Sequence, residues 1–112
     1  MNWNLIKEKY PESFHLAKWF WLGQTHLEPF EEFNIVPRMR ANPRFLYDFF
    51  DEQGIHIRIE FAIAVSKLTD EWSWFIAEKH RIYGSNGYEF KTRTEAEEQA
   101  FLRAFKILEE KL

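Results

Sequence analysis

The stretch IHIRIEFAIAV, residues 55–65, constrains this chain more than any other. Ile55, Ile57, Ile59, Phe61, Ile63 and Val65 take one set of alternate positions, and His56, Arg58, Glu60, Ala62 and Ala64 take the other. Successive side chains of a strand point to opposite faces. A period of two sustained this long therefore predicts an extended strand with one face on a core. One strand cannot bury such a face alone, so it needs neighbours in a sheet and a layer packed over it.

The neighbours are written next. Leu68-Thr69-Asp70-Glu71 reads as a turn, after which Trp72, Trp74 and Ile76 alternate with Ser73, Phe75 and Ala77 as a second strand. The stretch YGSNG, residues 83–87, contains an Asn-Gly pair, a strong hairpin signal. A short third strand is expected to begin with Tyr88 and Phe90.

Helices flank these strands. Asn42 and Pro43 suit an N-cap and first position, and Gly54 suits the left-handed exit. Between them Phe45, Leu46, Phe49 and Phe50 form one apolar stripe, with Asp48, Asp51 and Glu52 off it. At the other end Thr94 and Glu97 fit a capping box. Ala96, Ala100, Phe101, Ala104, Phe105, Ile107, Leu108 and Leu112 then cover about half of a helix. The alanines let that helix lie close on a sheet, so it reads as a roof.

The N-terminal part is also helical in pattern. Pro11 and Gly23 bracket a helix carrying Phe14, Leu16, Ala17, Phe20 and Trp21, with Glu12, His15 and Lys18 as its polar minority. Trp3, Leu5 and Ile6 suit a short turn of helix before it. Residues 24–41 have two prolines and no steady period, an unusually long connection for a compact domain. Phe30, Phe33, Ile35 and Val36 imply that it packs, with a short helical turn expected from Pro29. The expected fold is α+β in one domain, 1–112. Its parts are a helical segment 1–23, a connector 24–41 and an α-β-β-β-α core 42–112, with a three-stranded antiparallel sheet under the C-terminal helix.

Composition excludes several functions. The chain has no cysteine, which removes disulfides, thiolate nucleophiles and Cys-zinc sites. Its net charge of −3 lacks the field that steers most nucleic-acid binders. Lys7, Glu8 and Lys9 interrupt the start, so no signal peptide is read there. No apolar run approaches the ~20 residues of a membrane helix. A soluble cytoplasmic protein is expected.

No catalytic constellation emerges. His15, His26, His56 and His80 lack zinc-ligand spacing, and His56, Arg58 and Glu60 read as a solvated strand face. Asp48 and Asp51 share one side of a helix, but no basic or nucleophilic partner is written beside them. YGSNG lacks the spacing of a phosphate-binding loop. Ser13, Ser66, Ser73 and Ser85 lie in no nucleophile elbow. No enzyme activity, cofactor or metal is expected.

Two resemblances add to this. The order helix, three antiparallel strands, helix from residue 42 is similar to the double-stranded-RNA-binding domain. That family grips phosphates with a Lys-Lys-x-Ala-Lys motif at the start of its last helix. Placing the motif's alanine on Ala96 sets Arg93 and Thr94 at the paired lysines and Glu97 at the third. Only Arg93 keeps the charge, and Glu95, Glu97 and Glu98 would repel a duplex. The likeness is one of topology. Separately, KYPESF (9–14), LYDFFDEQGI (46–55) and GYEFKTRTEA (87–96) resemble small uncharacterised proteins of Bacteroidetes and their phages and mobile elements. That resemblance implies an accessory protein of a mobile element and carries no site residues.

The aromatic residues are the functional lead. Five Trp and twelve Phe are many for 112 residues, and each large ring brings on the order of 150–250 Å² to bury. With Trp72, Trp74 and Ile76 inward, Phe75 sits on the opposite face beside the row of His56, Arg58 and Glu60. Trp19 and Trp21 point in different directions on their helix, so one of them lies off its main stripe. Either the N-terminal helix covers the second sheet face and all rings are core, or an aromatic patch is exposed. The second case makes Trp19, Trp21 and Phe75 candidates for binding a protein partner or a second copy. An alternative nucleic-acid surface would use Arg58, Lys79, Arg81, Lys91 and Arg93.

Overall fold

The computed structural model describes residues 3–25, 43–64, 69–85 and 90–112, with side chains for all of these except 21–25, 62–64, 69 and 70. In chain order the elements are α1 (Trp3–Lys9), α2 (Pro11–Thr25), α3 (Pro43–Glu52), β1 (Ile55–Ala64), β2 (Thr69–Glu78), β3 (Arg81–Gly84) and α4 (Arg93–Lys111). The sheet is antiparallel in the order β1-β2-β3. The fold is α+β, with the α-β-β-β-α order from residue 43 onward.

Local chemistry explains most boundaries. Proline needs no intrahelical donor at a first position, and Pro11 and Pro43 open α2 and α3. Gly54 ends α3 at φ +77, where a Cβ would be strained, and its N–H donates to the Asp51 carbonyl. The stripe on α3 is buried as its spacing predicts: Phe45, Leu46, Phe49 and Phe50 are all core. On α4 the expected alanines and large residues are buried too, but Leu112 is exposed. It follows the last helical residue, Lys111.

Four expectations are corrected. First, α4 is capped by Thr92 and not by Thr94: the Thr92 hydroxyl accepts from the Glu95 N–H at 3.1 Å. Both pairs satisfy the same motif; Glu97 is held elsewhere, accepting at 2.7 Å from the Tyr47 hydroxyl of α3. Second, the third strand is Arg81–Gly84, joined to β2 by the two-residue turn Lys79–His80. Lys79 takes the left-handed region at φ 53 without being glycine or asparagine, which hid the turn. Phe90 joins the sheet as a single bridge to Trp72, and Tyr88 lies outside the described residues. Third, Thr69, Asp70 and Glu71 are strand, paired with Ala64, Ile63 and Ala62, which leaves residues 65–68 as the connection. Fourth, α2 runs through Gly23 to Thr25 and buries Lys18, whose ammonium stands 5.3 Å from the Phe14 ring centroid.

The core lies between the sheet and the helices. α4 packs across β1 and β2, with α3 beside it on β1. Phe50 meets Phe105 edge-on at 4.9 Å and Tyr47 meets Phe101 at 5.2 Å. α1 and α2 rest on this helical layer: Trp3 contacts Phe14 and Phe105, and Phe20 contacts Phe45 and Phe49. The N-terminal helix therefore does not serve as the cover of the second sheet face. A carboxylate fixes its position. Glu109 of α4 accepts from the N–H groups of Glu12 and Ser13 at 3.1 and 3.0 Å, meeting the positive end of α2.

Burial fades along β1. Ile55 is fully buried, Ile57 and Ile59 are partly covered, and Phe61 on the same face is 48% exposed. The first half of the strand matches the expected core face. At Phe61 the alternation continues without the cover that would bury it. Connector residues 26–41, the Asn42 cap, and His26, Val65, Ser66 and Leu68 lie outside the described residues.

Candidate functional site

Strand parity and register define the second face of the sheet. His56, Arg58 and Glu60 of β1 stand opposite Ala77, Phe75 and Ser73 of β2, and β3 adds Ile82 opposite Ala77 and Gly84 opposite Phe75. Helices α3 and α4 hold the other face, where Ile76 and Trp74 are buried. Near the Lys79–His80 turn the second face is open, and Ile82 is 80% exposed. Toward the other end Ser73 is buried, and its hydroxyl has no hydrogen-bond partner among the described residues.

The centre of this face is a cross-strand row. Phe75 lies beside Arg58 on one side, with the guanidinium carbon 5.7 Å from its ring centroid. On the other side the ring covers Gly84, where an added Cβ would sit 3.3 Å from Phe75 Cδ1. A ring over a cross-strand glycine shields backbone that carries no side chain of its own. Arg58 also bonds Glu60 at 2.7 Å, and His56 Nδ1 meets Asp51 Oδ1 at 2.9 Å. Both pairs are solvated, and each adds at most about 1 kcal/mol to stability. His56, Ile57, Arg58, Phe75, Ile76, Ala77 and Ile82 line a shallow depression of about 520 Å³. Its floor is apolar and its rim charged, which suits an apolar group arriving with polar neighbours.

The other sequence candidates disperse. Trp19 is exposed on α2 and donates to His15 Nε2 at 2.6 Å, while α2 packs on the helices; it does not join Phe75. The side chain of Trp21 lies outside the described residues. Lys79 and Arg81 are exposed at the β2–β3 turn. There the Tyr83 side chain, by hydrogen bond and charge, holds the Arg81 guanidinium above its usual value. Lys91 and Arg93 stand at the start of α4, and Arg93 leans toward Glu97 at 3.9 Å. The far end of that helix meets the turn, since Lys111 Nζ lies 3.3 Å from Glu78 Oε2. From Arg93 to Lys111 is about 27 Å at the α-helical rise. These basic residues form no single patch. Asp48, Asp51 and Glu52 lie on the wet side of α3. Among the described residues no three His, Cys, Asp or Glu side chains gather as a metal site. No described helix is long and apolar enough to cross a membrane.

Ile82 was missed in the sequence because its face depends on where β3 begins. The polar run Glu78-Lys79-His80-Arg81 between two apolar stretches was the signal available. Comparison of the chain with protein-family models, curated proteins and solved structures gives no match.

Proposed function

We propose that this is a non-enzymatic accessory protein that binds another protein through the open sheet face. Ile82 carries the reading: a large apolar side chain, 80% exposed, beside an apolar depression with charged groups at its edge. Exposed apolar surface framed by polar residues marks interaction sites. The fitting partner presents an apolar side chain to the depression between Phe75 and Ile82 and a carboxylate or carbonyl to Arg58. The resemblance of three stretches to small proteins of Bacteroidetes phages and mobile elements supports an accessory role in such an element.

The test is a photoreactive residue at position 82 in the native host. A discrete protein adduct is expected, reduced at least tenfold by F75A and unchanged by W19A. A nuclease-sensitive adduct, or affinity for DNA or RNA that collapses with salt, would assign the alternative reading through Arg58, Lys79, Arg81, Lys91 and Arg93. An adduct indifferent to F75A would overturn the proposed surface.

A further inference from the structure

Backbone direction, charge and apolar exposure coincide at the outer edge of β1. Trp72 exchanges backbone hydrogen bonds with Phe90, and the Trp74 carbonyl accepts from the Ser85 N–H. Even-numbered residues of β2 therefore turn their backbone toward β3. Odd-numbered residues, Ser73, Phe75 and Ala77, bond β1 through Glu60, Arg58 and His56. By the same alternation Ile55, Ile57, Ile59 and Phe61 direct their N–H and C=O groups away from β2. Among the described residues no strand occupies that edge. A long unoccupied edge is a template for another strand.

We infer that β1 pairs with β1 of a second copy, antiparallel about a two-fold axis at Ile59, making a continuous six-stranded sheet. Three observations select this partner and register. Ile59 directs its backbone outward, so it pairs with Ile59 of the second copy, and Ile57 pairs with Phe61 of that copy. About six backbone hydrogen bonds result. On the open face the same register sets Arg58 against Glu60 of the second copy, twice by symmetry. Moving the axis one residue either way sets Arg58 against Arg58 or Glu60 against Glu60, which is repulsive. On the helix face it sets Phe61, exposed at 48%, beside Ile57 of the second copy, whose α3 covers that end of the strand. The residue that the chain's own helices leave bare is the one the second copy reaches.

This interface shares Arg58 with the depression around Phe75 and Ile82 but is built on the edge of β1, so F75A should leave self-association unchanged. Sedimentation or light scattering should give twice the 13.7 kDa chain mass at micromolar concentration. R58E and E60R, each placing like charges across the axis twice, should weaken self-association about tenfold or more. Mixing R58E with E60R should restore the dimer as a heterodimer. At one of its two symmetry-related contacts the introduced carboxylate meets the introduced guanidinium, and at the other the native Glu60 meets the native Arg58. A misfolded variant cannot produce that rescue. A chain that stays monomeric up to millimolar concentration, or a dimer indifferent to both substitutions and to mixing, would overturn the inference.

Discussion

Glu109 Oε2 accepts a hydrogen bond from the Ser13 hydroxyl at 2.8 Å, joining residues 96 positions apart. Ser13 is fully buried, and the same carboxylate takes the Ser13 N–H and, through its other oxygen, that of Glu12. The start of α2 is thus capped from α4, where a local residue would ordinarily do it. Pro11 contributes no N–H, and the sequence there offers the carboxylate of Glu12 and the hydroxyl of Ser13, both inside the helix. Replacing Glu109 by Ala leaves the part-buried Ser13 N–H without its acceptor, while the Ser13 hydroxyl keeps the Phe105 carbonyl, and should cost about 1 kcal/mol or more in urea unfolding. Amide exchange should show α1 and α2 loosening before the sheet.

The corrected cap of α4 is separable by two substitutions. Thr92→Ala removes the side-chain acceptor for the Glu95 N–H and should cost about 1 kcal/mol. Thr94→Ala, exposed within the first turn, should stay within about 0.5 kcal/mol of the parent. Equal losses, or a larger loss at Thr94, would return the helix start to the later capping box.

Tyr47 gives the fold an alkaline limit. Burial first, then its hydrogen bond to Glu97 and that group's charge, push the phenol well above its usual value near 10. The folded state therefore holds the proton that the unfolded state releases. Stability from this group is complete below about pH 10 and falls as pH rises beyond it. Tyr47→Phe should lower stability at neutral pH by about 1 kcal/mol and flatten the alkaline decline. Near-ultraviolet titration should show the Tyr47 phenol ionising only with unfolding, a step that Tyr47→Phe removes.

Gly84 and Phe75 should behave as one unit. A methyl at Gly84 meets the Phe75 ring at 3.3 Å, so Gly84→Ala must shift that ring and disturb its contact with Arg58. Each single substitution should destabilise by about 1 kcal/mol. The double variant G84A/F75A should lose less than the sum, a coupling of at least about 0.5 kcal/mol in a double-mutant cycle.

The parts of the fold that repeat were the legible ones. The alternation from Ile55 to Ile59, the stripe Phe45–Phe50 and the alanines of α4 each state a period and a face, and those faces are where the structure places them. What failed depended on choice among equals or on distant partners. Thr92-x-x-Glu95 and Thr94-x-x-Glu97 were equivalent as motifs, and the latter's glutamate is taken by Tyr47, 50 residues away. The turn at Lys79 uses a conformation its residue type does not announce. The side of the core that α1 and α2 occupy follows from Glu109 and Phe105, not from any pattern within residues 1–23. At the candidate site, Phe75 was legible by parity alone. Ile82 required the register of β3.

The uneven cover along β1 makes one strand into two thermodynamic regimes. Among the amides bonded to β2, that of His56, beside the buried Ile55, opens only with the core; that of Glu60, beside the exposed Phe61, needs only the tip of the ladder to fray. Exchange rates read residue by residue would then form a slope along the strand. If a second copy docks on that tip, raising protein concentration should level the slope while leaving its root unmoved.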